Sequence, residues 1–274
     1  MFDAYVALDW SGAAGRRYAG IAIAELGANA ATPRLIRPRD RLWSRSAAID
    51  WLAARLAGSD RVLAGIDCAF SLPGNTLPAP SLWAEIERAA AGAADFHGAA
   101  YAAADGVAPL YWTKGTMPAG WVDRHRATEQ ACLAQGLGAP QSPYKLIGAK
   151  QVGKGALAGM RALLHLKAQL GQRIAVWPFE SLAGGSVLVE IYPRLFLRRV
   201  GHGSAKVRTR AELDRCLAAL GCSRPTFRTG FDDHEADALV SAAGLRLLAG
   251  NAQSWKPTAD AAILAREGWI FGVS

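Results

Sequence analysis

Asp9, Asp67, Glu190, Asp233, His234 and Asp237 are the residues whose types and positions point to chemistry. The densest group lies in Phe231-Asp232-Asp233-His234-Glu235-Ala236-Asp237-Ala238-Leu239. It packs five ionisable groups into the six positions 232–237, then runs into an apolar helix that reaches Leu248. Carboxylates held close together repel, and a cation relieves that cost. The stretch therefore reads as a helix start that offers acidic ligands to a divalent metal, with partners from two earlier strand ends.

Within that helix the roles divide. Asp232 with Glu235 three residues on is a capping box variant, which starts the helix. Asp237 lies past the first turn. At about 100° per residue, Ala236, Leu239, Val240, Ala243 and Leu247 form the buried stripe. Asp233 and Asp237, spaced i, i+4, sit on its flank with Cβ atoms about 5–6 Å apart. Ser241 and Gly244 continue the flank with small side chains, which lets the helix approach a sheet closely. His234, at i, i+3 to Asp237, is an alternative ligand. A hydrogen-bonded structural carboxylate is the other reading of Asp237.

The elements that must position these groups are strands. Tyr5-Val6-Ala7-Leu8-Asp9 is a short apolar strand ending in a carboxylate, followed by the turn Trp10-Ser11-Gly12-Ala13-Ala14-Gly15. Tyr18 to Leu26 reads as a second strand in an antiparallel hairpin, and Arg34 to Arg37 as a weaker third. Ser44 or Ser46 caps a helix to about Leu56, with Gly58 as its stop. Arg61 to Asp67 repeats the pattern of an apolar strand ending in an acid. Parallel pairing of this fourth strand with the first puts Asp9 and Asp67 at one sheet edge, where ligands gather in α/β folds. Further strands cover Arg173 to Phe179 and Ser186 to Pro193. Glu190 interrupts the second of these and needs a cation, a donor set or a raised pKa there.

The chain has 274 residues, about half apolar and 20% charged, which excludes a disordered polypeptide. It reads as one domain over 1–274, with a large, mostly helical insertion or cap at about 71–172. Helices are expected there near 81–93, 124–136 and 155–170, and another beyond it near 211–220. Cys68, Cys132, Cys216 and Cys222 form no metal-binding pattern and read as reduced core thiols of a cytoplasmic protein. The N-terminus has no signal-peptide pattern, and no apolar run is long enough to span a bilayer.

Net charge is +8 and the pI about 9.6, which favours anionic partners such as nucleic acid. The window 194–210 contains no acid and carries Arg194, Arg198, Arg199, Lys206, Arg208 and Arg210, a candidate backbone-binding patch or a solvated face. Trp112 and Lys114, with Trp121, Arg124 and Arg126 nearby, interleave aromatics and cations that could stack bases and meet phosphates. The other reading is that Trp112 and Trp121 anchor a loop. Lys145, Lys150 and Lys154 extend the basic set. Gly148 to Gly155 meets the GxxxxGK spacing, but Gly155 stands where a phosphate loop needs Ser or Thr. A glycine-rich helix start could still hold one phosphate on its amides.

The ordered motifs Leu8-Asp9-Trp10-Ser11-Gly12, Gly65-Ile66-Asp67-Cys68-Ala69-Phe70-Ser71-Leu72-Pro73, Val189-Glu190-Ile191-Tyr192-Pro193 and Asp232 to Leu239 carry a resemblance over nearly the whole chain. So do Val152-Gly153-Lys154-Gly155 and Glu267-Gly268-Trp269-Ile270-Phe271-Gly272. The chain resembles domain-of-unknown-function family 429, predicted nucleases with a ribonuclease H-like fold. The resemblance implies a mixed five-stranded α/β sheet, its first three strands antiparallel, flanked by helices with a carboxylate cluster over its centre. Asp9 matches the first-strand aspartate and Asp67 the fourth-strand acid. Asp237, with His234 or Asp233, matches the final-helix acids, as in Holliday-junction resolvases. Glu190 matches the Glu-x-Tyr-Pro strand. Asp67 is shorter than the Glu found in many such nucleases.

The function expected is metal-dependent hydrolysis of phosphodiester bonds. Two Mg²⁺ or Mn²⁺ ions, about 3.5–4 Å apart, would activate water and stabilise the leaving oxygen. Asp9 would bridge them, Asp67 would hold one, and Asp237, helped by Asp233 or His234, the other. A non-catalytic nucleic-acid-binding protein on the same fold is the alternative. A sugar-kinase-like or actin-like ATP-binding protein is a third, although 274 residues leave little room for duplicated domains.

Overall fold

In the computed structural model, which describes all residues except 16, 149, 150, 183, 204, 228 and 229, one mixed sheet lies between two helical layers. Strands β1 (Ala4–Asp9), β2 (Ala22–Gly27) and β3 (Arg34–Ile36) form an antiparallel run. Strand β4 (Val62–Ile66) pairs parallel to β1 on the other side. Strand β5 (Ile174–Val176) and strand β6 (Ser186–Glu190) complete the order β3-β2-β1-β4-β6-β5. β1, β4 and β6 are buried throughout. Near-continuous apolar runs are what strands covered on both faces require.

The first five positions in this order have the topology expected for a ribonuclease H-like core. The sheet has six strands rather than five: β5 adds a short parallel strand outside β6.

Alternation along the strands sorts side chains between the two faces. Val6, Leu8, Ala64, Ile66 and Leu188 join one apolar cluster; Tyr5, Ala7, Leu63, Val187 and Val189 join the other. The first cluster is closed by α1 (Arg45–Leu56), α2 (Ala79–Ala89) and α4 (Gly153–Leu170). Between α2 and α4 lie two short 3₁₀ turns and α3 (Ala127–Ala134). Segment 71–172 therefore contributes α2 and α4 to a main layer. Ser44 caps α1, its Oγ accepting from the Ala47 amide at 3.0 Å.

The opposite face is covered by α5 (Pro193–Arg199), α6 (Arg210–Ala219) and α7 (Asp233–Ala249). The short α8 (Ala261–Glu267) leads to a bridge between Glu190 and Ile270. α7 is buried on nearly all sides from Ala236 to Leu245, so the single-stripe picture fails at its far end: Leu247 is 52% exposed, while Leu245 and Leu248 are buried. The close approach at Gly244 is to Phe196 of α5, not to the sheet; a Cβ there would lie 2.2 Å from the Phe196 ring. All four cysteines are buried and free. Among the described residues no helix is long and apolar enough to cross a membrane.

Candidate functional site

Asp9 is the last residue of β1, and Asp67 follows β4 directly, its amide donating to the Leu8 carbonyl at 2.9 Å. The parallel register pairs Leu8 with Ile66 and Ile66 with Glu190. Three acids thus reach the same sheet edge. Parity separates them. Asp9 follows Leu8 and Asp67 follows Ile66, so both fall on the α7 face, whereas Glu190 is level with Ile66 and faces the α4 layer.

On the α7 face, the start of that helix completes the group. The capping box forms as its spacing predicts: Asp232 accepts from the Glu235 amide at 2.8 Å, and Glu235 accepts from the Asp232 amide at 3.3 Å. His234 Nδ1 meets Asp9 Oδ2 at 2.6 Å. That bond, outweighing burial, lifts the imidazole pKa to about 8, so at neutral pH Nδ1–H donates to Asp9. Asp237 is 5% exposed; its Oδ2 pairs with the Lys206 ammonium, and its buried Oδ1 accepts no hydrogen bond among the described residues. Lys206 also lies 3.6 Å from Asp233.

The electrostatics record crowding. Burial, then the charge of Asp9, push the Asp237 carboxyl up to about 6 against the pull of Lys206. Asp67 is raised well above the ordinary carboxylate range by burial, then by Asp9 and Asp237. Burial acts the same way on Asp233, but His234 and Lys206 outweigh it and hold its pKa low. Lys206 remains charged because Asp237, Asp9 and Asp233 overcome its desolvation.

Asp67 and Asp237 open into a cleft of ≈ 620 Å³ whose walls include Tyr192, Arg194, Arg198 and Lys206. A smaller pocket of ≈ 180 Å³ adjoins it through Asp67, Gln141, Val152 and Tyr192 and reaches Trp10, Gly155 and the buried group of Arg126, Glu129 and Glu190.

Glu190 belongs to a different arrangement. The Arg126 guanidinium clasps both its oxygens, with Nη1 at 2.8 Å from Oε2, and the Phe70 amide donates to Oε2 at 2.9 Å. Arg126 also donates from Nε to Glu129 at 2.8 Å and to the Glu267 carbonyl at 3.0 Å. Arg126, Glu129 and Glu190 are all buried. This is the cation and donor set that an acid inside an apolar strand needs. Arg126, read from sequence with a basic loop, instead ties that loop to β6 and the C-terminal segment.

The basic residues are scattered. Arg194 and Arg198 line the cleft. Lys206 stands inside the acidic cluster, so its ammonium is engaged rather than free for a phosphate. Arg199 donates to the Gly272 carbonyl at 2.6 Å. Arg208 and Arg210 are exposed where α6 begins. Lys154 is half-buried at the start of α4, and Lys114 is exposed in the loop after Trp112. Trp112 packs against Trp121 with centroids 5.6 Å apart; both indoles donate to loop carbonyls, and Lys145 lies 5.2 Å over the Trp112 ring. That is the loop-anchoring arrangement. Lys150 lies outside the described residues.

The glycine-rich start of α4 is packed rather than open. The Gly153 amide donates to the Lys145 carbonyl at 3.0 Å, and Trp10 Nε1 donates to the Gly155 carbonyl at 3.1 Å. A Cβ on Gly12 would lie 2.0 Å from the Gly155 nitrogen and 2.2 Å from the Lys154 carbonyl carbon. The helix thus abuts the turn that follows Asp9. Gly12→Ala is expected to force this turn away and cost about 1–3 kcal/mol of stability, read by urea denaturation.

Among the described residues no group of three or more His, Cys, Asp or Glu side chains is arranged to hold a metal ion. Asp9 is hydrogen-bonded to His234, and Asp237 is paired with Lys206. The donor chemistry still suits a hard divalent cation, which takes carboxylate oxygens. The unpartnered Asp237 Oδ1 and the mutual repulsion of Asp9, Asp67 and Asp237 are what such a cation would relieve.

The crowding has a measurable pH signature. A carboxyl raised on folding keeps its proton after the unfolded chain has released its own, so stability falls as pH rises between the two values. For Asp237 this interval runs from the ordinary 3.8 to about 6. His234 stabilises fully below its ordinary 6.5, and that contribution is lost as pH rises through about 8. In chelator, thermal stability is therefore expected to decline between about pH 4 and about pH 8. Asp67→Asn should raise stability and flatten the decline. A flat wild-type profile would contradict the crowding.

Comparison of the chain with protein-family models, with curated proteins and with solved structures found no match.

Proposed function

We propose that the chain is a metal-dependent nuclease that hydrolyses phosphodiester bonds, of the family it resembles. The observation that carries this reading is the meeting of Asp9, Asp67 and Asp237 on one sheet face, at the C-terminal ends of the parallel strands β1 and β4, beside a cleft walled by Arg194 and Arg198. Asp9, Asp67 and Asp237, with Asp233 or His234, would hold Mg²⁺ or Mn²⁺. When bound, such ions lower the pKa of water and stabilise a leaving oxygen. Arg194 and Arg198 bind and orient the phosphate backbone. His234 holds Asp9 in place through Nδ1–H. Arg126 and Glu190 brace the sheet edge from the opposite face.

The test is cleavage of a panel of DNA, RNA, hybrid and branched substrates with Mg²⁺ or Mn²⁺, comparing wild type with Asp9→Asn. Equal activity in the two proteins would sink the site assignment.

One observation favours a second reading, a nucleic-acid-binding protein that does not cleave. His234 and Lys206 already compensate part of the acidic charge without a metal. Salt-dependent binding with no metal-dependent cleavage on the panel would select this reading.

A further inference from the structure

We propose that Lys206 is a built-in cation of the acidic cluster, standing where a second divalent ion would sit, so that the site takes one Mg²⁺ or Mn²⁺ rather than two. The inference rests on the nuclease reading for the identity of the ion. Its own support is the geometry around Asp237.

The Lys206 ammonium pairs with Asp237 Oδ2 and stands 3.6 Å from Asp233. It thus bridges the two carboxylates that the i, i+4 spacing places side by side. Its neighbour Val207 is fully buried, which anchors the backbone that presents it. Among the described residues it is the one Lys or Arg that pairs with Asp9, Asp67, Asp233 or Asp237.

The geometry supports a single ion, because the Lys206 ammonium already fills the space between Asp233 and Asp237. Carboxylate oxygens of Asp237 and Asp67 are left for it on separate grounds. Asp237 Oδ1 is buried without a partner, and Asp67 has no ion-pair partner among the described residues. Asp237 is more than nine-tenths buried, and both residues line the cleft. A second ion at Asp237 and Asp233 would have to displace an ammonium that these residues already hold.

Metal stoichiometry decides the matter without an activity assay. Titration of the full chain with Mn²⁺, followed by calorimetry and by the electron-spin signal of free Mn²⁺, is expected to give one ion per wild-type chain. Lys206→Met should take up two, and Lys206→Arg, which keeps the charge, one. Circular dichroism checks that both variants fold, and the wild-type value stands whether or not they do. Two ions on the wild type overturn the proposal and leave the nuclease reading intact. One ion on folded Lys206→Met also overturns it. No ion on any of the three proteins overturns the metal-dependent reading itself.

Discussion

Asp9→Asn is expected to lower phosphodiester cleavage by on the order of 10³-fold, the loss typical when a charge-stabilising group is removed from a catalytic site. It should do so without lowering thermal stability. Asp9 contributes repulsion to both Asp67 and Asp237, and neutralising it relieves both. The opposing loss is its bond to His234, whose side chain is 38% exposed, so this pair is worth little in comparison. Activity and melting temperature thus move in opposite directions. A variant that loses both together would mark Asp9 as a structural acid and return the cluster to the non-catalytic reading. The comparison needs both measurements on the same preparations, with chelator present for melting and Mg²⁺ or Mn²⁺ for cleavage.

Arg126→Met is expected to destabilise the molecule by about 3–5 kcal/mol in urea denaturation. It would leave Glu190 and Glu129 buried with their main cation gone, and strip a donor from the Glu267 carbonyl. Removing one partner of a buried pair costs more than the pair contributes, because the remaining charge stays desolvated. Glu190→Gln should cost about 1–3 kcal/mol, since the amide keeps part of the hydrogen bonding. Replacing Arg126, Glu129 and Glu190 together with apolar residues should recover much of the loss. A destabilisation below about 1 kcal/mol for Arg126→Met would contradict the burial of this network. The same variants bear on Glu190: cleavage lost at full stability would bring it into the site, whereas a stability loss with cleavage retained leaves it as a brace.

Local features of this site were legible in the residues. The capping box at Asp232 and Glu235 and the Ser44 cap depend on hydrogen bonds across three positions, which spacing specifies. β1 and β4 read as apolar runs ending in acids because strands buried on both faces must be apolar throughout. Their parallel pairing followed from the intervening hairpin and helix.

What spacing could not show were the long-range partners. Lys206 pairs with Asp237 across 31 positions and Arg126 with Glu190 across 64. An ion pair has no periodicity, so the basic windows that hold these residues looked like surfaces for phosphate. The acid-free stretch 194–210 offered one hint: a lysine with no local acid is available to a distant one. Leu247 fell outside the core because α7 is covered by neighbours on several sides, so its buried direction is not one stripe. Glu190 is the sharpest case. Its residue type and its strand-end position match those of Asp9 and Asp67. The β4–β6 register puts it level with Ile66, and one residue of offset turns a side chain to the opposite face of a sheet. Pairing between strands far apart in the chain therefore determines which face of the sheet each acid takes.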